Sequence, residues 1–121
     1  MIGIDLVDIP RIRKALKNRR FKERLFSSRE QDYCETKADP AQHYAARFAA
    51  KEAFIKAIGG QVGLFGGISR VEVVNRPSGQ PQLQLPKRWK NWRSAISLSH
   101  TSKQAVAVCL LKKKRFSRKV V

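Results

Sequence analysis

Along this chain the spacing of hydrophobic and polar positions changes several times, and each change marks an element. Ile2-Gly-Ile-Asp5 is short and apolar and ends on a carboxylate, which predicts a strand over 2–5. Ile9, Ile12 and Leu16 then recur at helical spacing and predict a helix over 9–18, with Asp8 as N-cap candidate and Pro10 in its first turn. Arg11, Arg13, Lys14 and Lys17, with Arg19 and Arg20 after them, give that helix a basic outer side. Residues 21–26 predict a short helical turn. Ser27 and Glu30 stand at capping-box spacing and open another helix that runs to about Thr36.

The longest pattern runs from 40 to 58. Asp39 is its N-cap candidate, Pro40 suits the first helical position, and Gly59-Gly60 is the stop. Tyr44, Ala45, Phe48, Ala49, Ile55 and Ile58 form its apolar stripe. Glu52 falls among them, one turn after Phe48. A carboxylate beside a core face calls for an ion pair, a metal or a function. Lys56, four residues on, offers the plainest of these, an i, i+4 pair in the favourable order.

After a glycine-rich connector over 59–67, which lacks the Gly-Lys-Ser/Thr ending of a P-loop, the pattern turns to strands. Residues 71–75 and 81–85 flank Arg-Pro-Ser-Gly-Gln, and residues 95–99 and 105–111 flank 100–104, so two hairpins are expected. The predicted fold class is α+β: one long central helix and shorter helices packed on an antiparallel β-meander. One domain is expected over 1–111, with 112–121 as a basic, solvated tail.

Charge sharpens this picture. The chain of 121 residues carries a formal charge of +17. Six basic residues lie in the tail, and taking them away still leaves a surplus of +11. The folded body is therefore basic in its own right, which implies an anionic partner. Cys34 and Cys109 stand far apart without metal-ligand spacing and are expected as buried thiols. No apolar run approaches the ~18 residues of a membrane span, and no signal-peptide core opens the chain, so a cytoplasmic setting is expected.

Asp5 at a strand end, Glu52 in mid-helix and His100 at a hairpin tip are the residues placed for chemistry. Two carboxylates without spaced histidines or cysteines suit a hard cation such as Mg2+, which completes its shell with water and phosphate oxygens. On a basic body, such a pair points to an enzyme that handles a diphosphate. A small nucleic-acid-binding protein accounts for the charge and the basic tail better, but leaves Asp5, Glu52 and the His100-Thr101 turn without a role.

Three stretches, Gly3-Ile-Asp-Leu-Val-Asp-Ile-Pro-Arg-Ile12, Arg47-Phe-Ala-Ala-Lys-Glu-Ala-Phe-Ile-Lys56 and Ile96-Ser-Leu-Ser-His-Thr101, together resemble the signatures of the holo-acyl-carrier-protein synthase family. The resemblance spans about residues 1–111 and implies the 4'-phosphopantetheinyl transferase fold. It implies transfer of phosphopantetheine from coenzyme A to a serine of an apo-acyl carrier protein, releasing adenosine 3',5'-bisphosphate. Asp5 and Glu52 would hold Mg2+ (or Mn2+) against the coenzyme A diphosphate, and Lys56 would neutralise phosphate. Arg47, Lys51, Gly59, His100 and Thr101 are the further coenzyme A candidates. Glu52, a water held by the metal, or Asp32 could take the serine proton. Arg11, Arg20 and Phe21 would dock an acidic carrier, and the active assembly would be a homotrimer with sites at subunit interfaces. An inactive carrier-binding homologue is the variant of this reading that both metal carboxylates argue against. Asp8 stands where the family often has Glu, and Gly59-Gly60 where Gly-Thr is more usual.

Overall fold

The computed structural model describes residues 1–60 and 68–115; the connector beyond Gly60 and the last six residues of the chain lie outside the described residues. Nine elements follow in order: β1 (Ile2–Asp8), α1 (Ile9–Ala15), α2 (Arg19–Leu25), α3 (Ser28–Glu35), α4 (Pro40–Ala57), β2 (Glu72–Asn75), β3 (Pro81–Gln84), β4 (Trp92–His100) and β5 (Gln104–Lys113). The α+β class is as expected. The strands, however, divide into two antiparallel ladders, a three-stranded sheet in the order β1-β5-β4 and a separate β2-β3 hairpin. Pro86 and a 3-10 turn over Lys87–Trp89 break the ladder between β3 and β4.

Several boundaries move for tertiary reasons. β1 extends to Asp8 because β5 pairs with it along its whole length, from Ile2 opposite Leu110 to Asp8 opposite Gln104. β5 likewise takes in Lys112 and Lys113, two residues expected in the tail, through their pairing with Arg93 and Trp92. The first helix ends at Ala15 rather than 18, since Asn18 is taken up as the cap of α2, its side chain accepting from Arg20 N at 3.0 Å.

The central helix α4 lies across the inner face of the three-stranded sheet. Its alanines (41, 45, 46, 49, 50, 53 and 57) are all buried and let neighbours approach closely. Closest is β1 at Gly3, where an added Cβ would collide with the Ala53 carbonyl oxygen and come within 2.6 Å of Ala57 N. Only glycine fits there. At its far end α4 stops as expected: Gly59 and Gly60 take positive φ, and Gly60 N donates to Ile55 O at 2.8 Å, a Schellman closure.

Two cap expectations fail. Asp8 and Asp39 have the extended backbone of an N-cap, but neither side chain caps its helix. The Asp39 carboxylate is instead gripped by both Arg13 guanidinium nitrogens, at 2.8 and 3.0 Å, a bidentate pair. The Ser27–Glu30 capping box forms in both directions. Cys34 and Cys109 are free and buried, and burial pushes their thiols up to about 12 and about 11.

Candidate active site

From Arg47 to Ala57 every side chain of α4 is buried except Phe48, Glu52 and Lys56. Those three stand at i, i+4 and i+8, one row along the helix. The row faces β1, because the Gly3 contact holds β1 against Ala53 and turns Asp5 toward it. Lys56 Nζ donates to Asp5 Oδ1 at 2.9 Å. Asp5, Asp8, Arg11, Phe21, Phe48 and Glu52 all line one cleft of about 530 Å3 between β1, α1 and α4.

Two carboxylates in this cleft work against each other. Half-burial first, and then the charge of Asp5, raise the Glu52 carboxyl above its ordinary value, while Lys56 opposes the shift. Lys56, in turn, is raised by its hydrogen bond to Asp5. An anionic pair with one cation beside it retains net negative charge and oxygen donors, which is the donor set Mg2+ prefers when waters and phosphate oxygens complete its shell. The residues present therefore fit the metal. Among the described residues no cluster of three or more metal-ligating side chains exists, so this chain offers carboxylates rather than a closed cage.

Other predicted residues gather elsewhere. Arg47 is buried, donates to Asn75 Oδ1 at 2.5 Å, and stacks its guanidinium 3.9 Å from the centre of the Tyr33 ring. The Tyr33 ring meets His43 edge-on at 5.9 Å. His100 is close enough for its charge to help lower the His43 pKa, after desolvation, Arg47 and Lys37. Five residues separate Arg47 from Glu52, so at about 100° per residue their rows lie roughly 140° apart around α4. Thr101 holds the β4–β5 turn, its hydroxyl accepting from Lys103 N at 3.1 Å and Gln104 N at 3.0 Å. Gly59 sits exposed just past the Lys56 end of α4. One chain thus carries two groups: Asp5 and Glu52 in the cleft with Lys56 bound to Asp5, and, outside that cleft, Arg47 and His100, whose charges both act on His43.

Two expectations are corrected. Lys51 is not free to meet a phosphate: it is fully buried, with Nζ donating to Glu30 Oε1 at 2.5 Å and to Leu25 O at 2.6 Å. Glu30 also accepts from Ser27 N and Val73 N, each at 2.9 Å, so the capping-box carboxylate doubles as the counter-ion that ties α2, α3, α4 and β2 together. Asp32 is exposed on α3 and does not line the cleft, because the inward face of α3 is given to Glu30 and Cys34. The docking candidates fare differently. Arg11 and Phe21 line the cleft, and Arg20 shares the adjoining hollow with Phe21.

Sequence reasoning did not pick out Phe48, Gln104, Tyr33 or His43 for the site. His43 carried a usable signal, one turn before Arg47 on the same helical row; Tyr33 carried none, since its place depends on how α3 packs on α4.

Known proteins show the same arrangement of chain. Residues 1–109 match the family model of the 4'-phosphopantetheinyl transferase superfamily. A holo-[acyl-carrier-protein] synthase of Geobacter metallireducens is 46% identical over 122 residues, covering 92% of this chain and 95% of the relative. Among solved structures, a holo-(acyl-carrier-protein) synthase of Bacillus anthracis in complex with CoA (3',5'-ADP) superposes with a TM-score of 0.82 at 32% identity, over 94% of this chain and 96% of that one. The Helicobacter pylori holo-[acyl-carrier-protein] synthase in complex with coenzyme A gives 0.82 at 32% identity, over 93% and 100%.

Proposed function

This chain belongs to the 4'-phosphopantetheinyl transferase superfamily, on its holo-[acyl-carrier-protein] synthase branch, and on that premise we propose how its own residues carry out the transfer. A serine oxygen of the apo-carrier attacks the β-phosphorus of coenzyme A in line. The bond from that phosphorus to the bridging oxygen breaks, and adenosine 3',5'-bisphosphate leaves with the electron pair. The single observation that carries the reading is that Asp5 and Glu52 line one cleft while Lys56, on the same helical row as Glu52, is bound to Asp5.

Asp5 and Glu52 would hold Mg2+ (or Mn2+), which when bound draws charge from the diphosphate oxygens. Lys56, paired with Asp5 in the free chain, is within reach of the same place and supplies positive charge to a phosphate. Phe48 and Phe21 give the cleft an apolar wall that keeps water from the reacting phosphorus. The serine proton passes to Glu52 or to a water; Asp32 lies outside the cleft. Exposed Arg11 and Arg20, at the cleft and beside it, attract an acidic carrier.

We further infer that the assembly is a homotrimer and that each active site is shared between copies. Ile2, Ile4 and Leu6 point out from β1 with 66%, 59% and 61% of their surface exposed, and Leu110 of β5, opposite Ile2, extends this apolar face. Such a face calls for another protein surface. A neighbouring copy would also bring its Arg47–His100 group to the Asp5–Glu52 cleft, which explains why one chain keeps them apart. The reaction runs in the cytoplasm on this reading; among the described residues no helix is long and apolar enough to cross a membrane.

Intact-mass spectrometry of an apo-acyl carrier protein incubated with this protein, coenzyme A and Mg2+ tests the reaction. A phosphopantetheine adduct, lost with Glu52→Gln or on chelation, is expected. No adduct on several carriers would overturn the reading in favour of an inactive carrier-binding homologue.

A further inference from the structure

All nine acidic side chains of this protein lie at or before Glu72, whereas twelve lysines and arginines follow it. The fold gathers most of those cations at one end of the sheet. Arg93 and Lys112 are direct cross-strand partners in the β4–β5 ladder, so two like charges stand opposite each other on one face. Such a pair weakens a sheet, and among the described residues no carboxylate relieves it. Lys90, Lys113, Lys114 and Arg115 likewise form no ion pair among the described residues. No ion pair among the described residues accounts for this clustering, which directs attention to a ligand.

The surface there is concave. A groove of about 480 Å3 has Arg76, Lys90, Arg93 and Lys114 around it and Trp89 and Trp92 in its wall. A hollow of about 140 Å3 shares Arg93 and Lys114 with it and is lined, among the described residues, by those two with Lys112, Lys113 and Arg115. Nine ladder positions separate Lys113 from Gln104 at the active-site cleft, about 30 Å at ~3.4 Å per residue. The cations are therefore too far along the strand to serve phosphate groups in that cleft of the same chain.

We propose that this end of the sheet binds the phosphate backbone of single-stranded nucleic acid, without sequence preference. Two hollows that share Arg93 and Lys114 offer cations to successive phosphates, and the partly exposed indole rings that line the larger one offer surfaces for bases. An anionic membrane would fit a convex patch with apolar side chains among the cations. The exposed large apolar residues nearest these cations, Ile2 and Leu110, lie on the same outer face, in the part that a neighbouring copy covers on the reading above, which leaves Arg93 and Lys112 at its rim.

Fluorescence anisotropy with a labelled mixed-sequence RNA of about twenty nucleotides tests this, titrated from about 50 to 200 mM KCl. Wild-type protein is expected to bind with steep salt dependence. The triple variant Arg93→Gln, Lys112→Gln, Lys114→Gln should bind at least about tenfold more weakly, with a log–log salt slope smaller by about 2, from ~0.7 per lost phosphate contact. Its melting temperature should equal or exceed that of wild type, since the cross-strand repulsion is gone, and its transfer activity should persist. Absence of RNA binding by wild type, or equal binding by the triple variant, would overturn the proposal. So would binding of phosphatidylglycerol vesicles through these residues with no binding of RNA, or a variant that melts lower because the cations serve the fold.

Discussion

Lys56 and Asp5, 51 positions apart in sequence, meet at 2.9 Å beside a cleft that Asp5 lines together with Glu52 and Asp8. This contact depends on a backbone feature rather than on the ion pair. Lys56 is half exposed, so the pair itself contributes little to stability. What brings it about is β1 lying against α4 at Gly3. The Lys56 ammonium and the two carboxylates therefore form a site whose geometry is set by core packing and whose charges remain available to a ligand.

Glu52 is expected to trade stability for function. Its carboxyl is raised in the folded chain by half-burial and by Asp5. For a group raised on folding, the stabilising contribution is complete below the unfolded pKa and is lost as pH rises through the folded one. At neutral pH and above, ionised Glu52 thus works against the metal-free fold. Glu52→Gln should melt higher than wild type there, with the advantage fading as pH falls into the ordinary carboxylate range. Transfer should drop on the order of a thousandfold, the several kcal/mol expected of a metal's charge stabilisation. Melting curves against pH, paired with transfer assays, check both halves.

Mg2+ should raise the melting temperature of the wild type, because a ligand that binds only the folded state stabilises it. Asp5→Asn and Glu52→Gln should each abolish most of that rise. Thermal shift against Mg2+ concentration reads this without any turnover, and an equal rise in all three proteins would remove the assignment of these carboxylates.

Gly3→Ala should be among the most damaging small substitutions in the chain. Its methyl would meet backbone at Ala53 and Ala57, which cannot swing aside like a side chain. A loss above about 3 kcal/mol is expected in urea unfolding, beyond the usual range for overpacking.

Lys51 provides a test of the opposite kind. Lys51→Met leaves Glu30 buried and charged without its partner, a loss of about 3–5 kcal/mol. Whatever enzyme remains folded should keep its KM for coenzyme A. A raised KM with unchanged stability would restore Lys51 as a phosphate ligand.

Arg11→Ala should raise KM for the carrier and leave KM for coenzyme A alone, with the difference between variant and wild type narrowing as salt is added. An unchanged carrier KM would remove Arg11 from the docking surface.

Much of this was legible in the residues. The capping box at Ser27 and Glu30, the stop at Gly59-Gly60 and the long helix between them are local patterns, and local patterns survive folding. Glu52 and Lys56 could be placed on one helical row because 3.6 residues per turn fixes that without tertiary information. The fate of Lys51 could not be read in the same way. It is buried because α2, α3 and β2 converge on it, and no spacing within α4 reveals which neighbours arrive. The same holds for Asp39, whose expected capping role yields to Arg13 from α1, and for Asp5, whose meeting with Lys56 depends on β1 pairing with β5 at the other end of the chain.

The central claim is that the Asp5–Glu52 group of one copy and the Arg47–His100 group of another form one active centre. Subunit mixing tests it most directly. Glu52→Gln and His100→Ala proteins, each deficient alone, are unfolded, mixed in equal amounts and refolded together, and carrier modification is followed by intact mass. Shared sites predict that activity returns, to about a quarter of wild type, because in a cyclic assembly that fraction of sites pairs an intact Glu52 with a neighbour's intact His100. A mixture no more active than the average of its two parents, with mixed assemblies verified by native mass spectrometry, would contradict the shared site.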